Sequence, residues 1–166
     1  MIDLSTIIEF VRYEGSMGFI MQSWLNSYVS TGAGFMIKGM GKQDAMRCHT
    51  IVVNEIMKRS TVWIARPIDG GDCILAYLIV EKRDDQNIFH YAYARPAQRR
   101  LRVISKLISE HLHPKKNTTT HRTPSGLYIQ RKFDIKYNPY LLWRLDDGNS
   151  SNQTSKCDPS RQLSTC

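Results

Sequence analysis

The sequence predicts a mixed α/β domain whose strands and helices do not follow the regular alternation of a doubly wound fold. Three observations point there. A chain of 166 residues, 42% apolar and 23% charged, suits one domain with a sizeable core and is short for two. Three segments repeat apolar residues at helical spacing, a fourth opens on a helix-start signal, and six others are strand-like. From the N-terminus they run β-α-α-β-β-β-α-β-α-β.

Residues 7–13 are β-rich, and Glu9 and Arg12 interrupt the apolar run, as suits a strand near a sheet edge. Residues 19–29 set Ile20, Trp24 and Tyr28 four apart, which makes an amphipathic helix. Residues 30–41 hold four glycines and read as a loop. Over 43–59 the helical period returns through Met46, His49, Val52, Val53 and Ile56. Strands follow at 61–66, 73–81 and 88–94, and their short turn-rich connections predict an antiparallel meander. The last of the three is expected at the centre of the sheet, because only His90 breaks its apolar and aromatic character. A helix is predicted over about 99–112, with Leu101, Ile104, Leu107, Ile108 and Leu112 facing inward and Pro114 as its stop. Residues 118–122 are β-prone. Thr123 and Pro124 then read as the N-cap and first position of a helix reaching about Phe133. Residues 135–143 close the fold, with a kink at Asn138-Pro139.

After Leu145 the composition changes. Residues 146–166 contain only Leu163 and two cysteines as apolar side chains, too few to offset the entropy of ordering. The expected organisation is a single domain over 1–145 and a disordered polar tail over 146–166. Basic and acidic residues cancel beyond Trp143, so the net charge of +8 and the pI of about 9.5 belong to the folded part. No apolar run has transmembrane length and no signal peptide follows Met1, so the expected location is the cytoplasm, that of a host if the source is viral. The four cysteines form no C-x-x-C pair, and Cys48 and Cys73 are expected as reduced, packed thiols. The histidines share no metal-ligand spacing, so no metal site is expected.

The most informative segment joins residues 88–96 to the basic start of the next helix, where Arg95, Arg99, Arg100 and Arg102 cluster. A strand, a turn and a helix start offer main-chain N–H groups and positive charge to an anion such as pyrophosphate. Element order and this junction resemble the GNAT superfamily of N-acetyltransferases, in which a strand ending near a proline runs into R/Q-x-x-G-x-G/A. Set on Pro96, the pattern puts Arg99 at the R/Q position, Arg102 at the first glycine and Ile104 at the second small residue. Ser105-Lys106-Leu107-Ile108 falls where the family has a small residue and paired aliphatics. The run from Ser23 to Tyr28 and the ending Tyr137-Asn138-Pro139-Tyr140 are similar to small GNAT-like proteins of phages and bacteria.

The resemblance covers about residues 5–143. It implies a central mixed, mostly antiparallel sheet of about six or seven strands with helices on both faces. It also implies an acyltransferase that moves an acetyl or other acyl group from acyl-CoA to an amine. Acetyl-CoA or another acyl-CoA would be held by Tyr93, Ala94, Arg95, Arg99, Arg100, Leu101, Arg102, Val103 and Ile104, with the main chain of 93–95 on the pantetheine. Two of these depart from the family pattern. Arg102 and Ile104 stand where small residues let the main chain approach the pyrophosphate. Arg102 can swing outward and bond a phosphate, whereas Ile104 is expected to face the core.

Acyl transfer to an amine needs a base for the ammonium and an acid for the leaving thiolate. His90 and the rival base Glu81 are read for the first role, and the resemblance implies Tyr137 and Tyr140, after the last helix, as acids for the second. The same basic surface suits two alternatives: a degenerate GNAT-like module binding nucleic acid or an acidic protein, and a GNAT-like DNA-modifying protein. No membrane partner is expected.

Overall fold

A computed structural model describes residues 7–29, 39–69 and 73–142, with Arg100 through its main chain alone. Most of the loop expected over 30–41, part of the turn before Cys73, Trp143 and the tail over 146–166 lie outside the described residues. Six strands stand side by side in chain order: β1 (Ile8–Arg12), β2 (Thr61–Pro67), β3 (Ala76–Lys82), β4 (Asn87–Ala94), β5 (Asn117–Thr119) and β6 (Lys136–Tyr137). The first four pair antiparallel, and β4–β5 and β5–β6 pair parallel. The sheet is therefore mixed and mostly antiparallel, with β1 at an edge and β4 inside.

Helices cover both faces. On one, α1 (Gly18–Val29) and α2 (Lys42–Met57) bury Trp24, Tyr28, Val53 and Ile56 against Val62, Ile64, Tyr77, Ile79 and Tyr91. On the other, α3 (Val103–Ser109) packs Leu107 and Ile108 on Leu78, Val80 and Phe89, with Ile129 of α4 (Pro124–Lys132) beside them. Thr123 caps α4 as its sequence predicts, its Oγ1 accepting from Gly126 N at 3.0 Å. No helix among the described residues is long and apolar enough to cross a membrane.

The helix expected over 99–112 departs most from its prediction. Pro96–Leu101 winds as a 3-10 helix, Arg102 turns left-handed at φ 56° and ψ 22°, and only then does α3 begin. A left-handed residue breaks the i to i−4 ladder, so two short helices meet where apolar spacing alone reads one. Leu101 therefore joins a separate cluster with Ile8, Ala65, Ala76 and Val103. Leu112, expected inward, is exposed beyond the end of α3. Cys48, expected packed, is also exposed: it precedes the buried His49, and each helical residue turns the face by about 100°.

Candidate active site

A bulge and an early end to strand pairing build the site. Along β4 the register with β3 moves from Tyr91 opposite Ile79 to Phe89 opposite Val80, which leaves His90 as an extra residue. That residue is fully buried. It also reverses the face of its neighbours, so Phe89 packs under α3 while Tyr91 packs under α1. On its other side β4 pairs with β5 only through Phe89, whose carbonyl accepts from Thr120 N at 3.3 Å. Beyond Phe89 the two chains part and a cleft of about 770 Å³ opens between them.

One wall of the cleft is Tyr91, Ala92, Tyr93 and Ala94 of β4, and the opposite wall runs from Thr119 through His121 to the start of α4, including Tyr128. Arg95 N donates to Leu75 O at 3.0 Å, so Tyr93 and Tyr91 also turn their main-chain groups toward β3. By strand alternation, Ala92 and Ala94 turn theirs toward the cleft. Ala94 O accepts from Arg99 Nε at 3.4 Å. The left-handed turn at Arg102 closes this end, and Arg99 and Arg102 supply its positive charge.

A buried polar network lies behind the cleft wall. Glu81, with a side chain 3% exposed, receives Arg59 Nε at 2.7 Å, Arg83 Nε at 2.7 Å and His90 Nε2 at 3.2 Å. Burial pushes its pKa up, but bonds from His90, Arg59 and Arg83 outweigh that and hold it at about 2. His90 Nδ1 meets Thr120 Oγ1 at 2.9 Å, and the same oxygen meets His121 Nδ1 at 2.9 Å. Burial lowers the pKa of His90, with Glu81 partly offsetting it. Burial also drives His121 well below 6.5, with His49 and His90 adding to the effect. His121 stands edge-on to Trp24, Tyr28 and His49, at ring distances of 5.1, 5.0 and 5.1 Å.

The expected site residues divide sharply. Tyr93, Ala94, Arg99, Arg102, Ile104 and His90 line the cleft. Ile104, expected to face the core, does both, being half-buried against the clusters under α3. Arg95 turns away: its Nε donates to Ile74 O at 2.8 Å and its guanidinium lies over Phe19. Val103 is 1% exposed and packs with Leu101 in the core, so neither side chain reaches the cleft. The side chain of Arg100 lies outside the described residues. Glu81 is sealed behind the wall. Tyr137 sits under Arg122 and Tyr140 is 77% exposed, and neither lines the cleft. Residues given no role in this site from the sequence complete it: Ser27, bonded to Tyr91 at 2.6 Å, together with Thr120, His121 and Tyr128. No local pattern marks them, because the parallel register of β4 with β5 brings Thr120 to His90. Much of the basic charge is committed elsewhere: Arg66 pairs with Glu9, Lys136 pairs with Asp134, and Lys106 and Lys132 lie over Phe10 and Phe133.

No protein-family model matches this chain, and no curated protein matches it. Among solved structures, it is similar to an acetyltransferase of the GNAT family from Staphylococcus aureus Mu50, with 17% identity and a TM-score of 0.40. That match covers 62% of this chain and spans 63% of the Staphylococcus protein's length. A predicted acetyltransferase with acetyl-CoA from Clostridium acetobutylicum is 12% identical at a TM-score of 0.41, over 87% of this chain and 96% of that one. A possible acetyltransferase from Clostridium difficile 630 is 10% identical at 0.38, over 89% and 97%. The chemistry of the site rests on its own geometry.

Proposed function

We propose that this protein is a GNAT-type N-acyltransferase that binds acetyl-CoA or another acyl-CoA in the cleft between β4 and the chain after β5. One observation carries the reading. The parting of β4 from β5 after Phe89 exposes a strand edge along a cleft that ends at a cationic, left-handed turn. An extended pantetheine arm carries amides that add to such an edge as a strand would, on the main-chain groups of Ala92 and Ala94. Its phosphates then meet Arg99 and Arg102 through charge-assisted bonds. The conformation of Arg102 bears on the family motif directly. That position needs φ 56°, which glycine adopts at no steric cost, and here arginine holds it.

In the reaction the amine nitrogen attacks the thioester carbonyl, the C–S bond breaks, and the thiolate takes a proton. The cleft positions donor and acceptor for that attack. Tyr128 is assigned the role of protonating the sulfur because it is exposed at the cleft wall, whereas Tyr137 and Tyr140 do not line the cleft. Calorimetry with acetyl-CoA tests the reading. Wild type is expected to bind, and Arg99→Ala to bind about tenfold or more weakly, the worth of one charge-assisted contact. No heat with wild type and none with Arg102→Gly would refute it.

A further inference from the structure

An acceptor that arrives as an ammonium needs an anion to pair with and a base to take its proton. Among the described residues the cleft wall carries no aspartate or glutamate. Its two imidazoles are closed off. His90 is fully buried, with Nδ1 on Thr120 Oγ1 at 2.9 Å and Nε2 on Glu81 at 3.2 Å. His121 has Nδ1 on the same threonine oxygen, and its Nε2 is buried among the rings of Trp24, Tyr28, His49 and Tyr91. Glu81 stands behind the wall, engaged by Arg59, Arg83 and His90. The remaining charged side chains of the lining are Arg99 and Arg102, both positive. A phenol is too weak a base to strip an ammonium, so the tyrosines do not supply the missing group.

The two faces of the cleft differ. Toward α3 the lining is aliphatic, through Ile104, Ile108, Ile129 and Ile135, and Arg102 before α3 holds this side for the phosphates of the donor. Toward α1 it is aromatic and uncharged. Tyr91 stacks on Trp24 at 5.0 Å and 12° and bonds Ser27 at 2.6 Å. Tyr93 is half-buried and stacks on Tyr77 at 5.4 Å and 25°, with its remaining surface on the cleft.

We propose that the acceptor is a weakly basic aromatic amine, with its nitrogen directly on the ring and a free base at neutral pH, bound on the α1 side of the cleft against Tyr93. The inference rests on the acyltransfer reading and names the acceptor of that same cleft. Such an amine brings no charge to be matched, and its lone pair is available without a base. Its flat ring meets a flat aromatic wall. The step balances. The lone pair forms the N–C bond and the C–S bond breaks. The acylated nitrogen, now strongly acidic, gives one proton to water, and the thiolate takes one from Tyr128, which recovers it from that water.

The full chain with acetyl-CoA, assayed against aniline and benzylamine, tests the acceptor class. The two amines differ by one methylene, and at neutral pH the first is a free base and the second an ammonium. Each rate is divided by that of the uncatalysed reaction, which removes the difference in nucleophilicity. The acceleration for aniline should exceed that for benzylamine by about tenfold or more at neutral pH. The apparent KM of benzylamine should fall about tenfold per pH unit as its free base grows, while that of aniline stays constant. Tyr93→Leu keeps apolar bulk and removes the ring, so the KM of aniline should rise about two- to tenfold. Equal or greater acceleration for benzylamine overturns the proposal, and so does an aniline KM unchanged by Tyr93→Leu. Acetyl-CoA binding with no acceleration for either amine overturns the acceptor class alone. A wild type that binds no acetyl-CoA by calorimetry removes the acyltransfer reading and the proposal with it.

Discussion

Mild acid should destabilise this fold through its buried histidines, and His49 sets a minimum for the effect. His49 is 4% exposed, stacked on Tyr28 at 4.7 Å, and burial lowers its pKa from 6.5 to about 4. The unfolded chain therefore binds a proton here at a pH where the folded one does not. The stability that His49 supports is complete above about pH 7.5, fades as pH falls through 6.5, and is lost in full below about 4. Taking 6.5 and about 4 for the two states, the loss between pH 8 and pH 5 is about 2 kcal/mol. His90 and His121 are shifted in the same direction and add to it. Glu81 is also shifted downward, but in a lower range: its contribution is present above 4.5 and lost on the way down to about 2, so it leaves the pH 5–8 window untouched. Since small domains hold only about 5–15 kcal/mol, the change is readily measured. Urea unfolding at pH 8, 7, 6 and 5 should show the midpoint falling steadily for wild type. His49→Phe keeps a flat ring against Tyr28 and removes one titrating group, so about 2 kcal/mol of that dependence should vanish. Parallel pH curves for the two proteins would refute the reasoning.

Arg102→Gly should raise stability by about 0.5–1 kcal/mol, because relief of a left-handed side chain outweighs the extra freedom of glycine in the unfolded chain. Arg102→Ala keeps the left-handed strain and should gain nothing in the same denaturation assay. Glu81→Gln should cost about 3 kcal/mol by leaving Arg59, Arg83 and His90 around a neutral amide; an unchanged unfolding midpoint would contradict the ion-pair geometry. Thr123→Ala should cost about 1 kcal/mol through the lost cap on Gly126 N, read from thermal unfolding.

Much of the architecture is local and could be read directly. Element order, the edge position of β1, the meander and the capped start of α4 follow from spacing, turn residues and a Thr-Pro pair, which act over a few neighbours. The junction after Pro96 was legible as a cationic turn for the same reason. The break at Arg102 was not, because apolar residues three and four apart look alike in one helix or in two short ones set at an angle. The composition of the chain after Leu145 is likewise a sequence property, and it lies outside the described residues.

The other residues of the cleft, and the burial of the expected base, were decided by tertiary structure. Strand alternation puts Phe89, Tyr91 and Tyr93 on one face with His90 on the other, yet the bulge at His90 sends Phe89 and Tyr91 to opposite faces. Glu81 carries the right chemistry for a base, but its partners come from residue 59 on the approach to β2 and residue 83 in the turn after β3. His121 follows three threonines in the sequence, with nothing nearby to mark it. It joins the buried network only where β4 and β5 pair for three residues and then separate, bringing Thr120 between two histidines 31 positions apart. Bulges, register and the point where two strands part depend on contacts distant in the chain, and side-chain periodicity carries no record of them.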